Sequence, residues 1–213
     1  MEMELRKRIG REEFDYPALM AALARYANPR DKVRSLLRQG VIIRVKKGLY
    51  VFGEALRRRP VSRELLANLI YGPSIVSLES ALSYHGLIPE RVAQLTSVTP
   101  KRPKRFETPL GSFIYRRVPP ACFPLGMERV ESGDVAYLIA SPERALADKL
   151  REDRGTPLRT QADMAAYLTE NLRIERDELL RLNPNQLEEM AAAAPSAKIA
   201  LCARLLRRWR GGE

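Results

Sequence analysis

The stretch Asn28-Pro29-Arg30-Asp31-Lys32-Val33-Arg34-Ser35-Leu36-Leu37-Arg38-Gln39-Gly40, continuing as Val41-Ile42-Ile43-Arg44-Val45-Lys46-Lys47-Gly48-Leu49-Tyr50-Val51-Phe52, decides how the chain is read. Asn28 is a residue that caps helices, Pro29 suits a first helical position, and Asp31 sits near the positive helix end. Gly40 is the expected left-handed terminator after Gln39. At 100° per residue, Val33, Leu36 and Leu37 form one apolar stripe. The opposite face carries Asp31, Arg34, Ser35, Arg38 and Gln39, flanked by Arg30 and Lys32. Two β-rich runs then bracket Lys46-Lys47-Gly48, which predicts a hairpin with a lysine-bearing tip. Upstream, Leu19, Met20, Leu23 and Ala27 have helical spacing and predict a helix over Tyr16 to Tyr26.

Helix, tight Asn-Pro turn, basic helix and basic-tipped hairpin is the order of a winged helix-turn-helix. Arginine pairs bidentately with guanine in the major groove, whereas lysines at a wing tip reach phosphates. Arg34, Ser35 and Arg38 are therefore assigned to base edges, with Gln39 beside them. Arg30, Lys32, Arg44, Lys46 and Lys47 are assigned to the DNA-binding surface around them, chiefly to the backbone. Arg57-Arg58-Arg59 before Pro60 reads as a basic linker, either a solvated tether or a source of further phosphate contacts.

Composition agrees with this placement. The chain has 213 residues with 37 Lys plus Arg against 26 Asp plus Glu, a net charge of +11. Residues 1–60 hold 15 basic and 7 acidic residues, so +8 of that excess lies there. A basic end of this kind points to an anionic partner, nucleic acid first. No apolar run approaches the roughly 18 residues of a membrane span, and Met1-Glu2-Met3-Glu4 offers no secretory signal. Two isolated cysteines suit a reducing compartment, and with one histidine they disfavour a structural zinc site. A cytoplasmic protein without metal or cofactor is expected.

Beyond residue 60 the pattern is mixed, and the fold class expected is α+β. A helix is predicted over Ser62 to Tyr71 and another over Ser77 to His85. Strands are predicted over Val92 to Thr99, Gly111 to Val118, Met127 to Glu131 and Val135 to Ala140. A helix starts at Ser141-Pro142-Glu143, and the C-terminal third is helical. Residues 1–60 are thus expected to form a DNA-binding domain and 61–213 a C-terminal α+β domain. The run Lys101-Arg102-Pro103-Lys104-Arg105 reads as a basic loop between strands, either a solvated tip or a contact for an anion or partner.

Catalytic patterns are sparse. Gly-rich phosphate loops, nucleophile elbows and dinucleotide fingerprints are missing from the sequence. Gly111-Ser112 lacks the downstream carboxylates that a nucleotidyltransferase uses for magnesium. His85, beside a helix-ending Gly86, reads as a packed or capping histidine. Glu79, Glu143, Asp148 and Lys149 could compose a nuclease-like cluster, but Glu143 suits its helix start and Asp148-Lys149 a solvent face. No catalytic residue is assigned.

Several segments together resemble the AbiEi-type antitoxins. They are Ile42 to Phe52, Ser77-Leu78-Glu79-Ser80-Ala81-Leu82 with His85-Gly86-Leu87, Ser97-Val98-Thr99 with Lys101-Arg102, and Ile139 to Asp148. The resemblance covers about residues 15 to 150. It implies a bacterial type IV toxin–antitoxin system, in which an N-terminal winged helix represses its own operon by binding promoter inverted repeats. The C-terminal domain of that family opposes a nucleotidyltransferase toxin without forming a stable complex. The residues also admit a stand-alone regulator, a DNA-targeted nuclease, or an antitoxin acting only through protein contacts.

Overall fold

The computed structural model describes residues 2–90 and 92–212. Its N-terminal part runs α1 (Glu2–Arg8), β1 (Glu13–Asp15), α2 (Tyr16–Ala22), α3 (Pro29–Arg38), β2 (Ile42–Lys46) and β3 (Leu49–Phe52). β3 is the centre of a three-stranded antiparallel sheet in the order β1-β3-β2. Neither α1 nor β1 is apparent from the sequence pattern. α2 is shorter than its predicted span, because Ala24 to Ala27 supply only exposed positions once Leu23 has turned inward.

Asp15 caps α2 by accepting from the Ala18 amide at 2.8 Å. Asn28 occupies the equivalent position before α3, yet its side chain makes no capping bond. Pro29 follows and has no N–H to satisfy, which lowers the demand on that cap. Gly40 ends α3 at φ 69°, and Gly48 turns the hairpin at φ 86°, both conformations that favour glycine.

β3 reads Leu49-Tyr50-Val51-Phe52, and all four residues are buried. Alternation sends successive side chains to opposite faces. Tyr50 and Phe52 join a cluster with Leu19, Leu23, Leu36 and Ile42. Leu49 and Val51, with Val45 of β2, join the larger cluster that fills the rest of the molecule. An unbroken apolar run is what a strand covered on both faces requires.

That larger part contains a six-stranded mixed sheet in the order β6-β7-β5-β4-β9-β8. The strands are β4 (Ile75–Val76), β5 (Leu95–Thr99), β6 (Lys104–Thr108), β7 (Gly111–Arg117), β8 (Met127–Ser132) and β9 (Val135–Ala140). α4 (Arg63–Ile70) packs on β9, β4 and β5, and α5 (Glu79–Tyr84) on β5 and α6 (Pro142–Glu152). A helical layer, α7 (Gln161–Ala166), α8 (Arg176–Arg181), α9 (Pro184–Ala193) and α10 (Ala197–Arg210), builds on α6. The architecture is α+β with a helical C-terminal third. Among the described residues, no helix is long and apolar enough to cross a membrane.

The structure also changes the expectation for two basic segments. The basic run 101–105 is only partly a loop, because Lys104 and Arg105 begin the edge strand β6. Charged residues on such an edge discourage pairing with further strands. The Arg57-Arg58-Arg59 segment is not a solvated tether. Arg57 donates to the Phe52 carbonyl at 2.9 Å, and the Arg58 amide to Glu12 at 3.1 Å. Arg59 binds Glu13 at 2.7 Å and Asp134 at 2.6 Å, bridging β1 to the β8–β9 turn.

Candidate nucleic-acid interface

α3 sorts its residues as its period demands. Val33 and Leu36 are buried and Leu37 half-buried, while Arg30, Arg34, Arg38 and Gln39 are exposed. Ser35 is half-buried. Arg34 keeps 79% of its side chain exposed and reaches back only to Asp31, at 3.1 Å. An exposed pair of this kind holds little free energy and yields easily to another anion. Lys32 is half-buried, with its ammonium 5.4 Å from the centre of the Tyr26 ring.

On the hairpin, Arg44 and Lys47 are exposed. Lys46 differs from the placement expected of a wing-tip cation. It is half-buried and donates to the Ile70 carbonyl, at the end of α4, at 2.5 Å. Burial, with the charge of Lys104 nearby, lowers its pKa from 10.5. A bulge between Arg44 and Lys46 re-aims the strand and carries Lys46 toward α4.

Lys101, Arg102, Lys104 and Arg105 are all exposed. Arg105 pairs with Glu107, which also accepts from Ser112. Lys101 donates to the Gly72 carbonyl at 2.5 Å and lies 5.5 Å from the Tyr71 ring centre. Lys104 lies 5.6 Å from the same ring and 5.0 Å from that of Phe106. The Tyr71 hydroxyl donates to the Arg102 carbonyl at 3.3 Å, which ties this segment to the end of α4.

The acidic residues considered for nuclease chemistry have other partners. Asp148 is buried, accepting from Ser77 Oγ at 2.7 Å and from Arg144 Nε at 2.8 Å. Burial pushes its carboxyl up, opposed by the Arg144 guanidinium and the Ser77 hydroxyl. Arg144 also donates to the carbonyls of Cys122 and Leu125, locking the segment before β8. Glu143 accepts from the Asn183 amide at 2.9 Å, and Glu79 binds Lys149 at 2.7 Å. Asp148 with Lys149 is therefore not a solvent face: one is interior and the other bridges to α5. His85 Nε2 contacts the Ala140 carbonyl at 2.8 Å, in keeping with a packed ring. Both cysteines are free and buried, and burial pushes the Cys202 thiol up to about 12.

A cleft of about 1240 Å³, not foreseen from the sequence, opens between α2 and the β8–β9 hairpin. Arg8, Arg11, Arg25 and Arg129 line it, but Glu13, Asp15, Glu131 and Asp134 share the same walls. Opposite charges mixed this closely give no strong field of one sign.

No protein-family model matches the chain, and no curated protein matches it as a relative.

Proposed function

We propose that this chain is a sequence-specific, double-stranded-DNA-binding transcriptional repressor, with residues 1–60 acting as a winged helix-turn-helix. The observation that carries the reading is the series α1-β1-α2-α3-β2-β3, in which α3 keeps Arg30, Arg34, Arg38 and Gln39 exposed just before a hairpin bearing Arg44 and Lys47. α3 is the recognition helix and the β2–β3 hairpin the wing. Arg34 and Arg38 read base edges in the major groove; Arg44 and Lys47 hold phosphates. The concentration of +8 in residues 1–60 steers the encounter. The resemblance to AbiEi-type antitoxins extends this to a cytoplasmic antitoxin that represses its own operon at inverted repeats. It would oppose a nucleotidyltransferase toxin without a stable complex between them.

Selection of duplexes from a randomised pool by the full chain tests the DNA reading, and should enrich one sequence family. Arg34→Ala or Arg38→Ala should lose about 1–3 kcal/mol on the selected duplex and relax preference at one position. Lys47→Ala should weaken selected and random duplexes alike. A wild-type chain that enriches no sequence overturns the reading. Co-expression with a neighbouring nucleotidyltransferase tests the antitoxin role, with restored growth as the expected outcome.

A further inference from the structure

Three ammonium groups from two parts of the chain contact the segment Ile70–Gly72, two at its carbonyls and one at the Tyr71 ring. Lys46, from the hairpin, donates to the carbonyl of Ile70. Lys101, from the loop after β5, donates to the carbonyl of Gly72. Between those carbonyls stands Tyr71, whose ring faces both Lys101 and Lys104. Tyr71 is braced by Tyr115 and Phe106, with ring centres 5.3 and 5.8 Å away. Among the described residues, none of these three lysines makes an ion pair. The closest carboxylate in sequence, Glu107, is held by Arg105 and Ser112.

Like charges gathered without counter-charge repel, and helix-end carbonyls and an aromatic face offset that repulsion only in part. Burial first, and the charge of Lys104 second, lower the pKa of Lys46, which places the Lys104 ammonium near it. An ammonium has three donors. Lys46 and Lys101 each give one to a carbonyl, so further donors stay available on both.

The geometry points to a phosphate seat formed by Lys46, Lys101 and Lys104, which takes a backbone phosphate of the duplex beside the wing. This rests on the DNA-binding reading above and deepens it. The larger part of the chain then touches the duplex directly, and the phosphates held extend past those that the hairpin can reach. Arg102, exposed next to the seat, adds long-range attraction.

The test is the salt dependence of full-chain binding to the selected duplex, measured for Lys101→Ser/Lys104→Ser. The seat holds one phosphate, and each phosphate contact contributes about −0.9 to the slope of log K against log salt, so the slope should flatten by about 0.9. Sequence preference should persist, and the thermal midpoint should stay near that of the parent. Lys101→Arg/Lys104→Arg should restore the slope. Arg154→Ser/Arg204→Ser removes the same charge from two other exposed positions and should leave it alone. An unchanged slope in the Lys101/Lys104 variant, while Arg34→Ala still relaxes preference, overturns the seat and leaves the DNA reading standing. Equal flattening in the arginine control reduces the effect to net charge and also overturns the seat. Inorganic phosphate that displaces the duplex from the parent at constant ionic strength, but not from the serine variant, would assign the cluster to free anions instead. A parent that binds no duplex removes both readings.

Discussion

Leu78 holds φ 58° and ψ −141°, a backbone state that costs a residue with a side chain about 1–3 kcal/mol. It sits where the β4 strand turns into α5, and its side chain is buried in the larger cluster. Its neighbours hold it there. Thr96 Oγ1 donates to the Ser77 carbonyl at 2.8 Å, and the Ser77 amide donates to the Thr96 carbonyl at 3.1 Å. The Ser77 hydroxyl reaches Asp148 on α6, which in turn holds Arg144. The Ser77-Leu78-Glu79 motif thus serves a strained turn, pinned from β5 and α6 together. Ser77→Ala leaves a buried carboxylate one donor short, which should remove about 1–3 kcal/mol of stability. Asp148→Ala strands the buried Arg144 charge and should remove about 3–5 kcal/mol. Calorimetric midpoints check both, at roughly 2–4 °C per kcal/mol for a chain of this size. Neither variant should change sequence preference, provided the DNA is measured well below the new midpoint.

At the scale of elements, α3 and the hairpin meet at their ends. A Cβ built on Gly53 would stand 1.8 Å from the carbonyl oxygen of Gly40, the residue that ends α3. Gly53 also donates its amide to Val41 at 2.9 Å. Gly53→Ala must therefore push the end of α3 away from β3. It should lower stability by about 1–3 kcal/mol or more and weaken binding to the selected duplex. Gly10→Ala, which would meet nothing within 4 Å, is the matched control and should be silent in both assays. α3 and the hairpin were legible in the sequence because their apolar periods are full length and both glycines mark left-handed turns. β4 has two residues and β1 three, too few to display a period. β6 hid for another reason. An edge strand with only Phe106 and Thr108 half-covered carries no alternation of buried and exposed residues strong enough to read. For the site, the exposed arginines of α3 followed from helical spacing alone. The inward turn of Lys46 did not, because it depends on α4, which lies next to the hairpin only in three dimensions. The bridging role of Arg59 had one usable signal. The adjacent pair Glu12-Glu13 offers counter-charges for a nearby arginine, although only the structure shows that both are buried and so require partners.

Across the whole molecule, Arg59 joins the N-terminal sheet to the large one through Glu13 and Asp134. The Arg59 hydrogen bond holds the Asp134 carboxyl below its ordinary value of 3.8. A depressed carboxyl stabilises the fold fully above the unfolded value, and that contribution disappears as pH falls through the folded one. The link should therefore stay intact at neutral pH and open only below about 3.8. In Arg59→Gln, the Asp134 titration followed by carbon NMR should move up toward 3.8. An unmoved titration would mean that Asp134 owes its depression to other groups. The two-sided burial of β3 bears on the order in which the protein is made. Residues 1–53 leave the ribosome with Leu49, Val51 and Val45 bare, because the side chains that cover them belong to a cluster continuing from Leu66 to Leu206. At about 5–20 residues per second, those partners arrive seconds later. A nascent or prematurely ended chain therefore presents a sticky, loosely held hairpin, and its firm seating arrives only with the later-made half.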